Sequence, residues 1–485
     1  MNFKSLLCLV GLLAATFAWA QQPPLTPSSP GRPDPGLPGT PAQQLARDIF
    51  KELVEINTTD TPAGNVTTAA EAMAVRVRAA GYAAEDVHVA GPLANKHNLV
   101  VRLRGRNRDA KPVLFLGHLD VVQALKQDWS PNLDPFKFTE AGGYFYGRGT
   151  SDVKDGDALL LSSFIRLKRE GWVPSRDLIL ALTADEEGGE SNGIQWLLKN
   201  HRELIDAEYC INTDAGDFVI QKGKRTLLGL QTSEKNYVDF QLEVKNRGGH
   251  SSRPVKDNAI YHLSAGLDRL AKFDFPVELN DTTRAFFERT AALQVNDGQT
   301  AADFRAVAKT PSDPAAAARL SQSPYYNSLL RTTCVATRLE GGHANNALPQ
   351  TARAIVNCRM LPADSLGQVK ETLVKVLADD RISVSVVGEA IPAPASLLRP
   401  GLMRQLETMS GRLYGGIPVA PVMDTGASDG KYLRIGGIPT YGVPGVFADV
   451  DDERAHGKDE RIGVKDFYDG VEFYYLFIKE LGGSN

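Results

Sequence analysis

At 485 residues, 42% of them apolar and 23% charged, the chain has globular composition and is too long for one core, so at least two domains are expected. A formal net charge of −4 offers no basic field for holding nucleic acid, which is excluded as a partner. Four cysteines make no disulfide framework, and none has a neighbour at thiolate-metal spacing.

Lys4, the apolar run Leu6–Phe17 and Ala18-Trp19-Ala20 follow the order of a secretory signal with a small-x-small cleavage site. That run is shorter than the roughly twenty residues a membrane span needs, and no later stretch is long and apolar enough. Residues 1–20 are therefore expected to be removed, leaving an exported protein, periplasmic or secreted, with no membrane partner. Cys8 leaves with the signal. Of Cys210, Cys334 and Cys358 at most one pair can bridge, and Cys334 with Cys358 is the pair to test. Residues 21–43, rich in proline, glycine and serine, form an extended linker, with a helix starting near Pro41 and repeating Ala46, Ile49, Phe50 and Leu53 at helical spacing.

From there apolar strands alternate with amphipathic helices. Asn98–Leu103 and Pro112–Leu116 read as strands, Asp157–Arg169 as a helix, Asp177–Thr183 as a strand, Asn192–Lys199 as a helix and Glu208–Thr213 as a strand. Such alternation predicts an α/β domain with a mostly parallel sheet covered by helices. The pattern then changes. Tyr237–Val244 alternates as an antiparallel strand with one wet face does, an alanine-rich helical stretch follows, and Thr332–Leu339 and Ala352–Met360 are strand-like. The α/β pattern returns near Ile391. The chain is thus divided into a larger α/β domain, 44–233 and 389–485, and an inserted α+β domain, 234–388. The stretch around 275–330 either pairs subunits or covers a site within one chain.

The strongest signal is a set of carboxylates and histidines at predicted strand ends. Gly117-His118-Leu119-Asp120 follows one strand, and Asp152 lies in Gly147-Arg-Gly-Thr-Ser-Asp before a helix. Asp185-Glu186-Glu187-Gly188 follows a second strand, Asp214 a third, and His456 sits in Ala455-His-Gly-Lys-Asp-Glu. Singly, each is more often an ordinary polar turn or a solvated surface. In open α/β sheets, however, ligands bind beyond the carboxyl ends of the strands, so these distant residues are expected to converge on one edge.

The ordered set resembles the M20 metallopeptidase family from about residue 44 onward. Through His118-Leu-Asp-Val-Val, Trp129, Pro135-Phe136 and Tyr146-Gly-Arg-Gly it is similar to the carboxypeptidase S and N-acyl-amino-acid hydrolase branch, while Asn132-Leu-Asp and Asp155 depart from it. The resemblance implies a dizinc exopeptidase fold with an inserted lid or dimerisation domain. It implies two zinc ions, or cobalt or manganese in similar ligands. Asp152 would bridge them, His118 and Asp214 completing one site, Glu187 and His456 the other. Such a pair lowers the pKa of a shared water and polarises a scissile carbonyl. Asp120 would accept the other imidazole N–H of His118, and Glu186 would serve as general base and then donate to the leaving nitrogen.

In the insertion, Gly248-Gly-His250-Ser-Ser resembles the family's lid histidine, which in many members serves the site across a dimer. Asn346 resembles its polar lid residue and Arg359 its carboxylate clamp, a task that suits a bidentate guanidinium. Gly426-Ala-Ser428-Asp-Gly430 formally matches a serine-hydrolase elbow, with Asp449 and His456 following in order. No good strand is expected to enter Ser428, because Pro418, Pro421 and Asp424 interrupt, and that reading leaves Asp152, Glu187 and Asp214 unexplained. By resemblance, Gly426 and Ser428 line the site and contact substrate.

The expected function is a metal-dependent carboxypeptidase or N-acyl-amino-acid amidohydrolase acting on small peptides or N-acyl amino acids. An aminopeptidase or dipeptidase on the same core, and a catalytically silent metal- or peptide-binding protein, are the alternatives. A homodimer through the lid stays open.

Overall fold

The computed structural model describes residues 39–293 and 297–483, so the signal segment and most of the linker lie outside the described residues. The described residues belong to one compact unit, Gly36–Asn485. The first helix, Pro41–Glu55, starts three residues inside the range assigned to the linker, because Thr40 caps it by accepting the Gln43 N–H (3.2 Å) and Pro41 supplies a pre-set first turn. Its apolar stripe, Ala46, Ile49, Phe50 and Leu53, is fully buried in the main core.

That core surrounds a ten-stranded mixed sheet. Val113–His118 lies parallel between Leu178–Thr183 and Tyr209–Asn212, and Thr440–Gly442 lies parallel beside Tyr209–Asn212 on its other side. A strand from near the end of the chain therefore sits in mid-sheet. Helices Lys154–Arg169 and Val464–Gly482 pack on one side, burying Leu160, Phe164, Phe473 and Phe477. Strands buried on both faces read as continuous apolar runs, as Leu178–Thr183 does.

A second sheet of four antiparallel strands comprises Thr333–Gly341, Thr351–Met360, Asn236–Lys245 and Ile382–Val387, in that order. Its core of Phe240, Leu242, Val356 and Leu373 is closed by helices Ala259–Ala271 and Leu366–Leu377. Cys334 and Cys358 face each other across the first two strands and are bridged. In a chain-entropy account, closing a loop of this separation stabilises by about 3 kcal/mol. The double substitution Cys334→Ser/Cys358→Ser is expected to lower the denaturant midpoint accordingly. Cys210 is buried and free.

Two expectations change here. Among the described residues, the apolar side chains of the helical stretch assigned to the inserted domain, Asp281–Leu330, gather outside the core of the four-stranded sheet. Phe286, Phe287, Phe304, Leu320 and Leu330 instead bury Ala420, Val422 and Met423 of the strand Val419–Asp424, which belongs to the large sheet. That strand is itself the second change, because the sequence predicts an interruption at Pro418, Pro421 and Asp424. Among the described residues it pairs only with Lys224–Glu234, in parallel, and an edge strand tolerates a proline whose missing N–H would face away from the ladder. Among the described residues no helix is long and apolar enough to cross a membrane.

Candidate metal centre

Parallel strands deliver the chemistry. His118 is the last residue of Val113–His118, Glu186 and Glu187 follow Leu178–Thr183, and Asp214 follows Tyr209–Asn212. All three strands run the same way, so their carboxyl ends open on one crevice. Gly117 allows the approach, since a Cβ there would collide with the buried Asp157 carboxylate. Asp152 closes the loop before Lys154–Arg169, and His456 arrives from the loop before the last helix.

The five expected ligands meet. His118 Nε2 lies 3.2 Å from Asp152 Oδ1 and 3.6 Å from Asp214 Oδ1. His456 Nε2 lies 2.9 Å from both Asp152 Oδ2 and Glu187 Oε1. Asp152 thus offers one oxygen to each half of the cluster. Glu186 joins His118 and Asp214 with ligand atoms within 4.8 Å of one another, as His118, Asp152 and Glu187 also do. His118 is buried and His456 half exposed, so the cluster opens to solvent on the His456 side.

The electrostatics are those of a cation site. Hydrogen bonds to Asp152 and Glu187 push the His456 imidazole up to about 10. Burial carries the Asp214 carboxyl to about 7 against the pull of His118, and burial followed by Asp214 drives Glu186 well above the usual carboxylate range. Four carboxylates and two imidazoles in one cleft, with a shared aspartate between two nitrogen–carboxylate pairs, fit two divalent ions of the hard-to-borderline kind.

Asp120 behaves differently from the expectation. The His118 Nδ1 partner is the Asp120 backbone carbonyl at 3.0 Å, while the nearer carboxylate oxygen is 3.7 Å away. The carboxylate instead accepts the backbone N–H groups of Glu186 (3.1 Å) and Glu187 (3.0 Å). It therefore fixes the two glutamates, and burial pushes it up to about 6.

A match to the model of Peptidase family M20/M25/M40 spans residues 114–480, which includes every one of these side chains. The chain belongs to this family. It is 29% identical over 403 residues to the probable carboxypeptidase S-like 2 of Dictyostelium discoideum, covering 79% of this chain and 74% of that protein. It is 26% identical over 401 residues to the human N-fatty-acyl-amino acid synthase/hydrolase PM20D1, covering 80% and 77%. Among solved structures, an M20 family metallo-carboxypeptidase of Sulfolobus solfataricus superposes with a TM-score of 0.65 at 16% identity, covering 90% of this chain and 98% of that one. The Bacillus subtilis YXEP protein, titled a dinuclear metal binding peptidase from the M20 family, superposes with a TM-score of 0.57 at 11% identity, covering 91% and 98%. The protein is thus an M20 hydrolase with a mixed α/β fold, and its family is metal-dependent.

Around this M20 centre the structure adds supports that single-sequence patterns do not reveal. Arg148 and Glu460 form a buried ion pair. Glu460 also accepts the N–H groups of Gly149 (3.0 Å) and Ser151 (2.8 Å), and Arg148 donates to the carbonyls of His456 and Gly457 (3.2 Å each). This pair locks the Asp152 loop to the His456 loop. Lys96 similarly ties buried Asp185, which adopts a left-handed backbone (φ 58°), to Asp60. Arg148 and Glu460 fall inside the quoted motifs Gly147-Arg-Gly and Ala455-His-Gly-Lys-Asp-Glu without a role of their own, and no sequence pattern points at Lys96.

The lid residues divide. His250 and Asn346 come together, because Gly249–His250 pairs with Ala347–Leu348 and the Ser251 N–H donates to the Asn346 carbonyl (3.0 Å). The Ser252 N–H donates to His250 Nδ1 (3.1 Å), so Nε2 carries the proton and faces outward as a donor from an exposed ring. Arg359 reaches across from the four-stranded sheet and donates to the Thr425 carbonyl (3.3 Å), with its guanidinium 4.7 Å from the Tyr237 ring. Gly426 is exposed beside Thr425. Ser428 is not available to substrate. It is 3% exposed, and both its N–H and its hydroxyl donate to Glu234 Oε2 (3.1 Å each), while Arg434 pairs with Glu234 Oε1 at 2.8 Å. Although a strand does enter this loop, a serine so buried is closed to substrate.

Proposed function

We propose that the protein is an exported dizinc hydrolase cutting a peptide or amide bond next to a free carboxylate, a carboxypeptidase or N-acyl-amino-acid amidohydrolase. The observation that carries this reading is Asp152, with Oδ1 turned to His118 and Oδ2 to His456. Zinc ions held by His118, Asp152 and Asp214, and by Glu187, Asp152 and His456, would acidify a water and polarise the scissile carbonyl. Glu186, adjacent to both halves but outside the paired contacts, takes the proton from water and passes it to the leaving nitrogen. Its position is set by Asp120 through the backbone. His250 Nε2 and Asn346 supply donors toward the carbonyl oxygen, from this chain or a second copy. Arg359 holds the substrate carboxylate.

The names of the relatives, a carboxypeptidase S-like protein and an N-fatty-acyl-amino acid hydrolase, support a substrate with a free carboxylate. The Cys334–Cys358 bridge supports an oxidising compartment, consistent with the signal-like residues 1–20. The test combines metal analysis with a panel of substrates. Two zinc ions per chain with hydrolysis of N-acyl amino acids, and none of amino-acid p-nitroanilides, is the expected result. The reverse preference makes it an aminopeptidase, activity confined to free dipeptides makes it a dipeptidase, and bound metal without turnover makes it a binding protein. Arg359→Ala is expected to raise KM at least tenfold while kcat changes less, with partial recovery in Arg359→Lys, because a lysine keeps the charge but not the fork.

A further inference from the structure

The helical segment Asp281–Leu330 carries an exposed aromatic ring, Tyr325. In the short helix Pro324–Leu330, Leu329, Leu330 and Tyr326 face inward, Tyr326 standing 5.1 Å from Phe304 in an edge contact. Tyr325 faces the other way and is 48% exposed. The helix is pinned to the carboxyl end of Val419–Asp424 by one residue. Buried Lys235 donates from Nζ to the carbonyls of Ser328 (3.0 Å) and Arg331 (2.8 Å), and from its backbone N–H to the carbonyl of Asp424 (2.9 Å). Asp424 Oδ2 in turn accepts the Gly216 N–H (3.2 Å), two residues beyond the ligand candidate Asp214, so this pin ties the helix to the loop beside the metal centre.

The electrostatic neighbours agree. Burial, then Asp217 and Asp424, push the Tyr325 hydroxyl well up, and Asp424 in turn is pushed up by burial, Asp217 and, among others, the metal-ligand candidate Asp214. Tyr237, 49% exposed, stands directly across the strand pair from Arg359, which stacks on its ring and donates to the Thr425 carbonyl. Two half-exposed aromatic rings are thus tied to one loop, Tyr325 through Lys235 to Asp424 and Tyr237 through Arg359 to Thr425. Ligand pockets of this kind pair apolar walls with a few fixed polar groups.

We propose that Tyr325 and Tyr237 are the walls of the pocket receiving the side chain of the amino acid whose carboxylate Arg359 holds, so that the enzyme selects aromatic or large aliphatic residues over small ones. This rests on the hydrolase reading above. Tyr325 is then the contribution of the helical segment to specificity, reached by packing that segment on the large sheet.

The test measures binding apart from turnover. In a Glu186→Gln background, calorimetry should show N-acetyl-phenylalanine binding at least tenfold more tightly than N-acetyl-alanine, within the range a filled apolar pocket gives. Adding Tyr325→Ala should bring that ratio to within about twofold, while Tyr325→Phe should keep it, which separates loss of the wall from loss of the fold. An undiminished ratio in Tyr325→Ala overturns the proposal, as does equal binding of the two ligands before that substitution. A loss that follows acyl length instead of the amino-acid side chain overturns it too. Preferential binding without any hydrolysis by the metal-loaded wild type would leave the pocket standing and remove the hydrolase.

Discussion

Glu186→Gln should retain two zinc ions per chain and lose turnover by about 10³-fold, within the range that a positioned general base supplies. The substitution is conservative in shape, and the backbone N–H of residue 186 would still be held by Asp120 Oδ1. What disappears is the ability to accept a proton. Burial and the Asp214 carboxylate place the Glu186 carboxyl well above its ordinary range, and two bound cations would draw it back toward the ionised form a base needs. Activity within tenfold of wild type, with full metal content, would assign the base elsewhere. A loss of zinc alongside activity would make Glu186 a ligand, a role that its closeness to His118 and Asp214 makes worth excluding.

Asp152→Ala should abolish both metal retention and turnover. Each oxygen of this carboxylate is committed to a different imidazole neighbour, so its removal damages both halves of the centre at once. The loss of metal affinity should exceed the roughly 10–100-fold typical of substituting a partner that only orients a ligand. Plasma emission spectrometry on dialysed protein would check this, and two remaining equivalents of zinc would refute a shared aspartate. Because the alanine variant also relieves carboxylate crowding, its thermal stability without added metal is a useful companion reading. A fold that survives while metal is lost separates binding from packing.

The ligand set was readable because α/β architecture turns strand ends into a single address. His118, Glu187 and Asp214 each follow an apolar run, and parallel pairing does the rest. The role of Asp120 was only half readable. Its spacing from His118 suggested a side-chain contact, but the chain turns so that the carbonyl meets the imidazole and the carboxylate caps the next loop. Pro421 misled for a different reason, since a missing donor breaks a central strand but costs an edge strand little. Periodicity found helices in the stretch up to Leu330 but could not say which sheet they would cover. That depended on apolar positions Ala420 and Val422, far along the chain. Ser428 shows the limit of motifs, because burial beside Glu234 and Arg434 makes a formally matching serine an internal strut.

The mid-sheet position of Thr440–Gly442 bears on when this enzyme can exist at all. A ribosome that has released everything up to that strand has made a sheet with a gap in it, and His456 and Glu460 have still to emerge. Pairings between such remote partners are slow to form. Nascent or prematurely stopped chains are therefore inert, and hydrolytic power switches on only when the final tenth of the polypeptide slots home.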